Sequence, residues 1–104
     1  MHKAHEMLGV SFDLPDSLTV RQLDAYQMAL QNAIAKLNGT LTDARYYAIL
    51  YGVAVESGLV TNWQSATMPN AAPASVDDAD ARVIYWTGKT IREYVRAITE
   101  IPPN

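Results

Sequence analysis

The sequence predicts an all-α fold: an antiparallel helical hairpin followed by a long third helix, with an N-terminal extended arm. Three observations carry that expectation. Apolar residues recur at helical spacing in three separate stretches. Each stretch opens on a residue able to cap a helix, and a glycine or a pair of prolines closes each one.

Residues 1–18 read as the arm. Val10, Phe12 and Leu14 alternate with Ser11 and Asp13, a short strand pattern that Pro15 ends because it offers no N–H. With no partner strand evident, the arm is expected to lie extended on the helices, the alternative being pairing with another copy. The first helix is expected over 19–38. Thr19 and Gln22 form a capping box, Leu18 and Leu23 a hydrophobic staple, and Leu23, Tyr26, Leu30, Ile34 and Leu37 one apolar stripe closed by Gly39.

The second helix is expected over 42–57, capped by Thr42 or by Thr40 with Asp43. Tyr47, Leu50, Tyr51, Ala54 and Val55 face its partner, and Gly58 with Leu59 matches a Schellman ending. The short connection between these helices makes them antiparallel neighbours. Residues 60–75 have no period and read as a long loop, a length that is usually functional or mobile in a compact domain. The third helix is expected over 76–100, capped by Ser75, with Asp77, Asp78 and Asp80 favouring its positive end. Val83, Trp86, Thr90, Tyr94, Ile98 and Ile101 form its stripe, Trp86 as core; Arg92 and Arg96 suit its C-terminal half, and Pro102 and Pro103 stop it.

A chain of 104 residues is one domain by length, here read as a single helical domain over 1–104. An apolar share of 49 % supports a packed core. A net charge of −3 with scattered basic residues argues against nucleic-acid binding. No apolar run approaches the roughly 20 residues that cross a bilayer, and no signal-peptide pattern opens the chain. Neither nucleic acid nor membrane is therefore an expected partner, and a cytoplasmic location is.

The chain has no cysteine, and its two histidines, His2 and His5 beside Glu6, read as a solvated tail rather than a metal site. The five glycines are isolated, so no phosphate loop forms, and no Ser-His-acid set exists. The Asp77, Asp78 and Asp80 cluster lacks the glycine and glutamate of a calcium loop. The inventory assigns no catalytic, cofactor-binding or metal-ligating residue, and a non-enzyme is expected.

Tryptophan and tyrosine are frequent interface anchors. Tyr46, Tyr47 and Tyr51 crowd the second helix, and Trp63 and Met68 sit in a segment with no periodic reason to bury them. Trp63 either plugs the open end of the hairpin or presents a partner-binding patch. The expected protein-binding residues, on the second reading, are Trp63, Met68, Tyr46 and Tyr51.

Residues 12–30, FDLPDSLTVRQLDAYQMAL, place a strand-like entry before a helix opening on LTVRQL. Residues 44–60, ARYYAILYGVAVESGLV, supply a second helix, and a final helix runs to a Pro-Pro end. In layout, over most of 12–101, this resembles the small helical tail assembly chaperones of bacteriophages. The resemblance implies a non-enzymatic factor that coats the tape measure protein during tail assembly, often as an oligomer, in the bacterial host cell. It carries no catalytic or individual binding residue to these positions. The other functions compatible with the sequence are a small inhibitor that blocks a macromolecular target, such as an anti-defence protein, and a structural virion subunit.

Overall fold

In a computed structural model of the chain, residues 1–68 and 73–100 are described. Thr19 opens the first helix as its sequence dictates: its hydroxyl accepts from the Gln22 N–H at 3.1 Å, and the Gln22 side chain accepts from the Thr19 N–H at 2.9 Å. Two donors that the helix itself leaves unpaired are thereby satisfied. Helix α1 spans Val20–Ala35, ending before Gly39, which sits with φ +102 in the connection that follows. Helix α2 spans Asp43–Glu56 with Thr42 as its cap. Its end is a complete Schellman motif: Gly58 N–H donates to Val55 O at 3.1 Å and Leu59 N–H to Ala54 O at 2.9 Å, with Gly58 at φ +78.

The third helix is shorter than its apolar stripe predicts. Residues 73–78 form a 3₁₀ helix, and α3 spans Ala81–Thr99. Asp80 caps it, accepting from the Arg82 N–H at 2.9 Å, two residues past the end of the 3₁₀ helix. The side chain of Ser75, Ile101 and the two closing prolines lie outside what is described.

The all-α expectation is overturned by a sheet. The protein is mixed α/β, its described residues 56 % helical and 14 % strand. Strand β1 spans His2–His5, β2 spans Val10–Asp13 and β3 spans Thr61–Ser65. They form one antiparallel sheet in the order β1-β2-β3. The stretch expected to lie extended on the helices therefore instead holds two strands paired within the chain. The chain turns at residues 6–9, where Gly9 at φ +63 donates to Glu6 O at 3.0 Å, and β1 returns on β2 with His5 opposite Val10. Part of the expected long loop is β3, which pairs Ser65 with Val10 across a register shift between Ser11 and Asp13. The strand read as partnerless is thus the central one.

Helix α2 packs against both α1 and α3, and the apolar face of the sheet joins their core. Phe12 from β2 and Leu14 just past it, Ala54 and Val53 from α2, Leu59 and Val60 beyond it, and Ile91 and Tyr94 from α3 are in the main core. The Tyr94 hydroxyl donates to the Pro15 carbonyl, tying α3 to the end of β2. The buried face of α3 is Val83, Ile84, Thr87, Gly88, Ile91 and Tyr94. Its centre is rotated toward two small residues because α2 crosses there, and a Cβ on Gly88 would lie 2.8 Å from the Tyr47 carbonyl oxygen. Trp86 flanks this face, partly buried, edge-on to Phe12 and His5 at 5.6 Å each.

Candidate functional site

The structure buries two of the four expected binding residues, Tyr51 and Met68, brings the partly buried Trp63 against them, and leaves Tyr46 elsewhere. Trp63 on β3 stacks on Phe12 at 6.0 Å and meets Tyr51 of α2 edge-on at 5.4 Å. Its indole N–H donates to the Met68 carbonyl at 2.7 Å, while the Met68 N–H donates to the Ser65 hydroxyl at 3.1 Å. Tyr51 is 0 % exposed and Met68 6 %. Residues 65–68 turn back so that Met68 and Tyr51 are buried, and Trp63, partly buried, packs between Phe12 and Tyr51. β-strand geometry explains the placement: residues alternate between faces, and Trp63 takes the inward one.

Tyr46 points another way. With Tyr26, Leu30, Leu50, Arg92 and Arg96 it lines a groove of about 240 Å³ between α1, α2 and α3. Helical spacing builds this wall. Tyr46 and Leu50 are one turn apart on α2, as are Arg92 and Arg96 on α3. The aromatic wall continues past the groove: Tyr46 meets Tyr47 edge-on at 5.4 Å, and Tyr47 lies 4.1 Å from Tyr85, which is 44 % exposed. The Arg92 guanidinium sits 5.5 Å above the Tyr47 ring, a cation–π contact that holds the charge at the groove.

The electrostatics of the groove are unlike those of the whole chain. The protein carries a net charge of −3, yet no carboxylate lines this wall among the described residues. Neither Arg92 nor Arg96 forms an ion pair with a described residue. Arg92 Nε and the Tyr26 hydroxyl are both closed off from solvent without a hydrogen-bond partner. Tyr26 is only 2 % exposed, and burial, with Tyr46 beside it, pushes its hydroxyl up to about 12. Buried donors are almost always bonded, so these two atoms are departures, as are the Tyr51 and Thr87 hydroxyls away from the groove. By contrast, the cleft walled by Arg45, Tyr47 and Tyr85 has its cation already paired, Arg45 to Asp77 at 3.0 Å.

Sequence reasoning placed Arg92 and Arg96 at the helix end for their effect on its dipole and Tyr26 in the core, and it missed their convergence. The available signal was two arginines four apart, a like-charge pair that does not stabilise a helix by itself. The opening residues also differ from the expected tail. His2 Nδ1 lies 2.7 Å from Asp13 Oδ1, and Asn62 Nδ2 donates to Asp13 Oδ2 at 2.7 Å. Those bonds hold the Asp13 carboxyl below its ordinary value, Asn62 contributing most and His2 next. Asn62 takes φ +52 to make its bond. Among the described residues no three His, Cys, Asp or Glu side chains cluster as metal ligands would. No described helix is long and apolar enough to cross a membrane.

No protein family, no curated protein and no solved structure matches this chain.

Proposed function

We propose that this protein is a non-enzymatic binding factor that holds a segment of another protein in the groove between α1, α2 and α3. The observation that carries the reading is the groove wall itself, Tyr26 and Tyr46 with Arg92 and Arg96 over a floor of Leu30 and Leu50. Tyrosine and arginine are the residues most enriched where proteins meet. Its volume of about 240 Å³ is below the roughly 300–1,000 Å³ of small-molecule pockets and suits an anchoring side chain. Tyr85 and Tyr47 extend the same surface outward.

Within that class, the reading we favour is an assembly factor of the kind represented by phage tail assembly chaperones, with a virion component as partner. Its support is the layout of residues 12–101, above all the capped hairpin of α1 and α2. The three-stranded sheet is not part of the layout which that resemblance implies.

The test is crosslinking in the cell of origin to name the partner, followed by affinity measurements on the purified pair. Tyr46→Ala should weaken binding about 30-fold, or ~2 kcal/mol, with little change in melting temperature. Unchanged affinity in that variant removes the groove from the reading. A partner that is not a virion component removes the assembly role.

A further inference from the structure

We infer that the groove between α1, α2 and α3 is a carboxylate-binding site, and that the partner segment it takes carries an aspartate or glutamate beside an apolar side chain. This deepens the proposed binding role and rests on it for the identity of the molecule bearing the carboxylate. Two independent observations converge. The first is charge: Arg92 and Arg96 line the groove with no carboxylate from the described chain against them. The second is the Tyr26 hydroxyl, in a side chain 2 % exposed, which has no hydrogen-bond partner.

Arg92 makes the same point from its own side. Stacking on Tyr47 accounts for where its guanidinium lies but leaves Nε–H without an acceptor. A guanidinium edge is a fork of parallel N–H donors matched to the two oxygens of a carboxylate. An oxygen seated between Arg92 and Arg96 meets the guanidinium N–H groups that line the groove, whereas the Arg92 Nε–H and the Tyr26 hydroxyl are closed off and meet it only if the surrounding side chains move apart. The apolar floor of Leu30, Leu50 and Val95 then receives the neighbouring aliphatic group.

Phosphate fits less well. The two arginines sit in the C-terminal half of α3, where the helix dipole is negative and opposes a doubly charged anion more than a singly charged one. Phosphate sites usually also offer free backbone N–H groups at a helix start; the one lining residue in a first turn, Tyr46 of α2, already donates its N–H to the Thr42 carbonyl at 2.9 Å.

The experiment uses 4-methylpentanoate, which joins a carboxylate to a leucine-like tail, and 4-methylpentanamide, its uncharged isostere. Arginine Nε–Hε resonances of the whole protein are followed by nuclear magnetic resonance during titration. The carboxylate should shift the Arg92 and Arg96 signals saturably, with a dissociation constant on the order of millimolar, usual for so few atoms. The amide should bind at least about tenfold more weakly. Arg96→Gln, at an exposed position, should weaken the carboxylate titration several-fold while leaving the circular dichroism spectrum unchanged; Arg92→Gln should do the same if it folds. Equal response to acid and amide, no saturable shift, an unaltered titration in Arg96→Gln, or tighter binding of inorganic phosphate would each overturn the inference. The two readings fail separately. A partner that binds Arg96→Gln normally but not Tyr46→Ala leaves protein binding standing without the carboxylate. A carboxylate that still binds while Tyr46→Ala leaves partner affinity unchanged removes the protein-binding reading.

Discussion

At the scale of single side chains, two buried tyrosine hydroxyls, those of Tyr26 and Tyr51, have no hydrogen-bond partner among the described residues. A buried hydroxyl that loses water without gaining a partner costs about 1–3 kcal/mol. Tyr51→Phe is therefore expected to raise the free energy of unfolding by about 1 kcal/mol in urea titration. Tyr26→Phe should do the same, and should weaken carboxylate binding, the usual exchange between stability and function. Trp63→Ala should cost about 3 kcal/mol or more, because it empties the space between Phe12 and Tyr51 and strips the Met68 carbonyl of its donor. Asp13 gives a pH signature. Its carboxyl is held below the usual 3.8 by Asn62 and His2. The stability it contributes is complete above the unfolded value and fades as pH falls through the lower folded one. The melting-temperature gap between the native protein and Asp13→Asn should therefore be constant near neutrality and close in strong acid.

At the scale of elements, Gly88 decides how closely α2 and α3 approach. Helix propensity alone favours alanine there by about 1 kcal/mol. The new methyl would instead meet the Tyr47 carbonyl oxygen at 2.8 Å, which is backbone and cannot swing aside. Overpacking of that kind costs about 1–3 kcal/mol, so Gly88→Ala should lower the melting temperature despite its better propensity. The helices were legible because their signals are local: the Thr19 capping box, Thr42, and the Gly58–Leu59 ending all act within a few residues. The sheet was not legible. Only β2 shows alternation, with Val10 and Phe12 inward, while β1 (His2–His5) and β3 (Thr61–Ser65) are short, polar edges. Their reason for being strands is the backbone of β2, a partner that no periodicity in their own residues reveals. The groove was half legible for the same reason. Tyr46 was picked out by type, but Tyr26, Arg92 and Arg96 reach it from two other helices.

At the scale of the whole molecule, alkaline pH tests the fold. Burial pushes the Tyr26 and Tyr51 hydroxyls up to about 12. The unfolded chain releases these protons near pH 10, while the folded chain keeps them. Stability should be level below that and fall as pH rises from about 10 toward 12, and Tyr26→Phe with Tyr51→Phe should flatten the fall. Monitoring urea midpoints across that range checks it. The position of β2 in the sheet has a further result for synthesis. The β1–β2 hairpin precedes β3 in the chain, and β2 meets its second neighbour only when Ser65 comes to lie opposite Val10. Until then one side of β2 is a row of unpaired N–H and C=O groups next to Val10 and Phe12, the kind of edge on which chains stick together. Closing so distant a pair is slow compared with forming α1 and α2. Aggregation during synthesis should accordingly peak in nascent chains that stop before residue 61, and fall once β3 has left the ribosome.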